Sequence, residues 1–260
     1  MVLRPRKSLG KLSAWLSKIP RVQDKDGRCL MIWIFLSPTS SEDPDKAHYR
    51  STLERIRNAL RMLENVLAVL HLTNVSPTAL PRGYSSVTAR SSQDSLLVHA
   101  RHEDTGTTLL EVNGLLEKAN STSATEGLLR WSIKAYELTQ VFEPRTSKGY
   151  NGSCMVTVSI EPGDSQSSDI DRWYRKEQLP MLGETSPALF LRCRRYRHIA
   201  ETSVDRGGPT TDLLAVHEYR SVKALFQHSL DKGPVLEETE WSKKVLGNAK
   251  RVERTIWEVK

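Results

Sequence analysis

The sequence predicts an α+β chain built from two tandem ferredoxin-like (βαββαβ) units packed sheet to sheet. Three observations predict it. Residues 153–260 alternate between β-branched runs and amphipathic stretches in the order strand, helix, strand, strand, helix, strand. Residues 29–142 pass through the same order less clearly. Three short segments also recur in order. Cys29-Leu-Met-Ile-Trp-Ile-Phe-Leu36 matches Cys154-Met-Val-Thr-Val-Ser-Ile160 at an offset of 125, Ser95-Leu-Leu-Val-His99 matches Leu213-Leu-Ala-Val-His217 at 118, and Ala135-Tyr-Glu-Leu138 matches Ile256-Trp-Glu-Val259 at 121. A βαββαβ unit covers one sheet face with its helices and leaves the other bare. Two units bury their bare faces together, and pairing of the outer strands removes the exposed edges.

Each element follows from its residues. In the first half, 29–36 is an apolar, β-branched and aromatic run and reads as a strand. A helix begins at Asp43-Pro44 and carries Tyr49, Leu53, Ile56, Leu60 and Leu63 on one face. Strands follow at 66–72 and 96–102, then a helix at 108–119 and a strand at 132–142. The stretch 74–93 is long and polar for a loop in a compact domain, which marks a binding loop or disorder. In the second half the first strand is 153–161, and a helix runs from Ser168 to Leu179, where Pro180 ends it. Strands follow at 190–197 and 213–219. Ser221 caps a helix to about 230, Gly233-Pro234 interrupts it, 235–246 resumes it, and 254–259 is the last strand. The expected division is a basic arm over 1–26, a degenerate first unit over 27–145 and a second unit over 150–260, with 143–152 as the linker.

The chain has 260 residues, of which 38% are hydrophobic and 27% charged. That balance excludes a disordered chain and a membrane bundle, and no apolar run nears the ~20 residues of a spanning helix. The net charge is +7, yet residues 1–23 hold six basic side chains and no acid. Removing those six leaves 32 basic against 31 acidic residues, so the body is balanced and a nucleic-acid surface is not expected. Within the arm, Leu9, Leu12, Leu16 and Ile19 lie at helical spacing; this fits a loose or surface-docked arm, and also a mitochondrial transit peptide on an otherwise cytoplasmic protein. Cys29, Cys154 and Cys193 have no framework spacing and read as reduced thiols packed in strands. GxGxxG, Walker A, GxSxG, HExxH and CxxC motifs are absent, so no metal and no cofactor is expected.

Four segments of the second half carry a family resemblance: Val156-Thr-Val-Ser-Ile160, Trp173-Tyr-Arg-Lys-Glu-Gln-Leu-Pro-Met-Leu182, Leu191-Arg-Cys-Arg-Arg-Tyr196 and Leu213-Leu-Ala-Val-His-Glu-Tyr219. They resemble the EthD-like group of dimeric α/β-barrel proteins, above all its tandem fungal members. The helix motif W-Y-x-x-E-H-x-P-x-L is matched at Trp173, Tyr174, Glu177, Pro180 and Leu182, with Gln178 where the motif has histidine. The resemblance implies an intramolecular dimeric α/β barrel with a small-molecule pocket between sheet and helices. It implies relatives among cofactor-free oxygenases, decarboxylases and isomerases of aromatic or polyketide-like compounds, and some haem proteins. A haem site would want a histidine on the helical layer, where this chain has Gln178.

Several residues are candidates for chemistry. Ile170, Trp173, Tyr174 and Glu177 fall on one helical face, so Glu177 should face the sheet. There it would act as general acid or base with a raised pKa, or pair with Arg192 or Arg194. Gln178 cannot transfer protons and can only orient a ligand. His217 and Tyr219 alternate onto one strand face. That face is placed toward the helices, because Leu214 and Val216 suit a barrel interior, although Glu218 does not. His99 is the matching residue of the first half and either serves the fold or marks a second pocket. Arg192 and Arg194 share a face with Phe190, Tyr196 and His198, where they would hold a substrate carboxylate or phenolate, or protect a sheet edge. Cys193 reads as structural.

The expected function is a cofactor-independent small-molecule enzyme of secondary or catabolic metabolism. It would decarboxylate, isomerise or cyclise an apolar, oxygenated, polyketide-like substrate. Glu177, His217 and Tyr219 would be catalytic, and Trp173, Gln178, Arg192, Arg194 and Tyr196 would bind substrate. The alternatives are a non-catalytic ligand-binding or stress-related barrel protein and an EthD-type oxidoreductase. A tandem chain fills its own barrel interface, so a monomer is expected, with a small molecule as partner.

Overall fold

The computed structural model describes residues 29–38, 46–75, 94–101, 105–121, 129–144, 152–164, 166–203, 212–232 and 239–260. The basic arm, most of the polar stretch after Asn74, most of the linker, and the Gly233-Pro234 break with the start of the resumed helix lie outside these described residues.

The first half contains β1 (Cys29–Pro38), α1 (Lys46–Arg61), β2 (Val66–Asn74), β3 (Asp94–Arg101), α2 (Thr105–Asn120) and β4 (Leu129–Phe142). The second contains β5 (Cys154–Glu161), α3 (Ser167–Trp173), a π-turn (Tyr174–Gln178), α4 (Leu179–Thr185), β6 (Phe190–Ser203), β7 (Leu213–Tyr219), α5 (Val222–Lys232), α6 (Glu240–Gly247) and β8 (Arg251–Val259). The strands close into one barrel in the order β1-β3-β2-β8-β5-β7-β6-β4, every neighbour antiparallel, with β4 returning to β1. Within the halves the order is β4-β1-β3-β2 and β8-β5-β7-β6.

The strands of the two halves thus form one closed barrel joined at two seams. The β4–β6 seam is long, running from Ser132↔Ser203 to Phe142↔Cys193, and it explains why β6 continues past the expected end at 197. The β2–β8 seam is short, from Leu72↔Val259 to Asn74↔Trp257. Closure satisfies the backbone groups that edge strands would leave unpaired.

Strand side chains alternate between two buried environments, which is why the strands read as nearly continuous apolar runs. Met31, Trp33, Leu97, Tyr136, Met155, Tyr196, Leu214 and Trp257 fill the barrel. Leu30, Ile32 and Ile34 face outward against Leu53, Ile56 and Leu60 of α1 and Val112 of α2. Val156, Val158 and Ile256 face outward against Ile170, Trp173 and Tyr174. Burying one such large side chain is worth about 1.5–3 kcal/mol.

The matched segments do not all keep their face. At offset 121, Tyr136 and Leu138 correspond to Trp257 and Val259, and all four belong to the barrel interior. At offset 125, Leu30 on the helix side is matched to Met155 inside the barrel. At offset 118, His99 stands in register with Met31 and points inward, whereas His217 stands with Val156 and points to the helices. A slip of one residue turns every side chain to the opposite face. His99 and His217 are thus not equivalent positions.

Candidate active site in the second helix–sheet layer

On α3, Ile170 and Trp173 are buried as their spacing predicts, and Tyr174 follows them. At Tyr174 the helix widens: the Leu179 N–H bonds to the Tyr174 carbonyl, five residues back. The wider turn explains how the helix passes Pro180, which was expected to end it. Proline brings no N–H and its ring collides with the carbonyl four residues earlier in a regular helix; a π-turn relaxes both conflicts.

The extra residue also changes which side chain faces the sheet. Gln178 is fully buried, whereas Glu177 is half-buried. Glu177 does not reach toward the His217–Tyr219 face as expected. Its Oε1 accepts hydrogen bonds from the Trp173 indole (3.1 Å), from the Ser242 hydroxyl (3.2 Å) and from Thr239. Thr239 in turn caps α6, accepting from the Ser242 N–H at 2.9 Å. The carboxylate therefore ties α3 to the N-terminus of α6, where a negative charge is favoured.

His217 and Tyr219 do face the helices. His217 is fully buried, with ring centroids 6.2 Å from Tyr174 and 6.1 Å from Phe190. Phe190 lies 5.7 Å from Tyr219. Cys193 stands beside His217 in register on the same face. Among the described residues neither ring nitrogen of His217 has a hydrogen-bond partner, and neither does the side-chain oxygen or nitrogen of Gln178. Nearly all buried polar groups in native proteins are paired, and leaving one unsatisfied costs about 1–3 kcal/mol.

The layer is electrically neutral at its centre. Burial, helped by the positive fields of Arg254 and Arg195, pushes the His217 pKa down to about 3. Burial pushes the Tyr174 phenol and the Cys193 thiol up. A thiolate–imidazolium pair is thereby disfavoured on both sides. Arg195 closes one wall: its guanidinium lies 4.4 Å from the Tyr174 ring and donates to Asp171 and Gln140, each at 2.7 Å.

Arg192, Arg194 and Tyr196 are elsewhere. An irregularity in the β6–β7 ladder between Phe190 and Arg192 breaks the alternation. Phe190 therefore faces the helices, while Arg192, Arg194 and Tyr196 point into the barrel, which corrects the expectation that Phe190 shares their face. Both guanidiniums converge on Glu218, with Arg192 Nε 2.9 Å from Oε2 and Arg194 on Oε1. Their carboxylate is thus Glu218 rather than Glu177. The set Trp173, Glu177, Gln178, His217 and Tyr219 lies on one side of the sheet, and Arg192, Arg194 and Tyr196 on the other. These eight residues do not form one pocket.

Sequence reasoning missed the inward position of Gln178, the Arg195–Tyr174 contact and the ion pairs of Glu218. A proline inside an amphipathic stripe and a glutamate inside an apolar alternation were the available signals. Among the described residues no three His, Cys, Asp or Glu side chains could hold a metal ion. The segment from Ser167 to Gln178 carries no histidine, and the buried Gln178 amide is no substitute for an imidazole ligand to a haem iron.

A scan of protein-family models finds no match to this chain, and a search of curated proteins finds none either. Solved structures do match. An anthrone oxidase-like protein aligns over 91% of this chain and 92% of its own at 11% identity, with a TM-score of 0.54. A mutant chlorite dismutase from Candidatus Nitrospira defluvii aligns over 91% and 92% at 12% identity and 0.51. A candidate monooxygenase from Fusobacterium nucleatum subsp. nucleatum aligns over 90% and 92% at 10% identity and 0.50. Identities this low speak for the fold alone. Together with the eight-stranded closed antiparallel barrel and its outer helices, they show that this chain has the dimeric α/β-barrel fold.

Proposed function

We propose that the chain is a cofactor-independent small-molecule enzyme whose site is the layer between the π-turn and β7. The observation that carries this reading is the pair of fully buried polar side chains, Gln178 and His217, whose four polar atoms find no partner among the described residues. A ligand oxygen placed between them would accept from the Gln178 amide and from an imidazole N–H. The surroundings Tyr174, Phe190 and Tyr219 suit a flat, apolar ring, and the neutral centre suits an uncharged one.

The chemistry follows from the electrostatics. A histidine with a pKa near 3 is a poor base but a good neutral donor. Aimed at a carbonyl, Gln178 and His217 would polarise it, and the fields of Arg195 and Arg254 favour the negative charge that develops on oxygen as a carbon acid gives its proton to a water admitted with the substrate, or as a carboxylate leaves as CO2; that water then supplies the proton that returns to carbon. That supports isomerisation, decarboxylation or cyclisation of an oxygenated aromatic or polyketide-like compound. In this reading Glu177 is a positioning residue that anchors Trp173 and α6. The relatives' helix motif, with Gln178 in place of histidine, supports placing the chain in the EthD-like group. The shared strand order of the halves supports reading them as tandem ferredoxin-like units. Because one chain closes both seams, a monomer is expected on sedimentation.

Tautomerisation of aryl ketones to their phenols, with anthrone as first probe, tests the reading. Gln178→Leu and His217→Phe should each lower kcat by about 10²-fold or more, the usual effect of losing one donor to a developing oxyanion. Turnover unchanged in both variants would contradict it. A second reading, a non-catalytic binding protein, is favoured by the same neutrality, since the base at the centre among the described residues, His217, is a weak one. It predicts that the probe binds, that both variants lose binding, and that no product forms.

A further inference from the structure

We propose that the barrel interior around Trp33 and Ser95 is a second ligand site, separate from the helix–sheet layer, which takes a small uncharged aromatic alcohol or ketone. Trp33 on β1 and Ser95 on β3 both point into the barrel. Ser95 stands in register with Phe35, and the Phe35 ring stacks on Trp33 with centroids 4.7 Å apart. Trp33 is 3% exposed and Ser95 0%. Among the described residues the Trp33 indole N–H and the Ser95 hydroxyl have no hydrogen-bond partner. Trp257 provides a contrast. Its ring lies 5.6 Å from Trp33, yet its own indole donates to the Thr157 hydroxyl at 3.0 Å. Of two buried indoles in contact, the fold satisfies one and leaves the other.

The chemistry of the walls selects the occupant. An indole N–H only donates, and a hydroxyl donates and accepts, so a single carbonyl or hydroxyl oxygen can satisfy both. A trapped water typically makes about three hydrogen bonds. Trp33 and Ser95 offer two, and Phe35, Trp257, Leu72 and Leu97 around them are apolar. Aromatic faces suit a flat ring. Lys134 stands in register with Trp33, its Nζ 6.0 Å from the Phe35 ring centroid, and opposite Glu201 across the β4–β6 seam. Charge at this end of the barrel is therefore balanced, which favours an uncharged ligand over an anion.

Phenol is a suitable probe, read by the indole N–H signals of the ¹⁵N-labelled full-length protein. Trp33→Phe assigns the Trp33 signal; if that variant does not fold, the through-space contact with the Phe35 ring does so. Phenol should shift the Trp33 signal saturably. Ser95→Ala should weaken the binding about five- to tenfold, the worth of one hydrogen bond, and Ser95→Cys serves if alanine disturbs the barrel. Gln178→Met should leave the phenol affinity unchanged, which separates this site from the one proposed above. The proposal is overturned if saturating phenol leaves the Trp33 signal in place. It is also overturned if that signal shows only a bound water that phenol does not displace, if both Ser95 variants bind phenol as tightly as the parent, or if Gln178→Met abolishes the shift.

Discussion

Gln178 and His217 are sealed from solvent with their polar atoms unmatched among the described residues, and the stability of this chain should carry that signature with pH. The pKa values of His99 and His217 in the fold are each about 3, against an ordinary value near 6.5. Between those limits the unfolded chain binds protons that the fold refuses. Stability should therefore rise with pH from about 3 to about 6.5, and this contribution should be flat above it. His217→Gln should reduce the slope of unfolding free energy between about pH 4 and pH 6 by up to about 1.4 kcal/mol per pH unit, measured by denaturant titration. An unchanged slope would show that His217 is already protonated or solvated. Inside the barrel, Glu218→Gln takes the carboxylate from two guanidiniums at once. It should cost about 3–5 kcal/mol. The exposed Arg197–Glu137 pair is the control: Arg197→Ala should cost under about 1 kcal/mol.

The elements differ in how far they could be read in advance. All eight strands were legible: β1, β3, β5 and β7 are buried on both faces and read as apolar runs, and the others keep enough β-branched and aromatic residues to be recognised. The placement of His217 and Tyr219 toward the helices was legible too, since Leu214 and Val216 suited the barrel. Two backbone irregularities were not. The break in the ladder at Phe190 and Arg192 moves Phe190 across the sheet, and the π-turn at Tyr174–Gln178 moves the inward position from Glu177 to Gln178. Both insert a residue into a period, and a periodicity argument assumes that none is inserted. The π-turn makes its own prediction. Deleting Lys176, which is exposed within it, should restore regular α spacing rather than rotate the rest of the helix. The proline ring would then meet the carbonyl four residues before it, so the melting temperature should fall by an amount worth about 3 kcal/mol. An unchanged melting temperature would mean that the proline needs no widened turn.

The whole molecule is one closed barrel, with neither half complete. Residues 150–260 alone would expose Met155, Tyr196, Leu214, Val216 and Trp257, which the first half now covers. That fragment should self-associate in sedimentation, while the full chain unfolds in a single calorimetric transition; a monomeric, cooperatively folded fragment would contradict this. The whole-molecule stability is also where the central claim, that Gln178 and His217 form a ligand site, can be read most directly. A side chain kept for a ligand costs stability when the ligand is absent. In denaturant unfolding without added ligand, Gln178→Met, which keeps the shape and removes both polar atoms, should be more stable than the parent by about 1 kcal/mol or more. A loss of stability of similar size would show that the amide already has its partners within the fold, and the site would not exist.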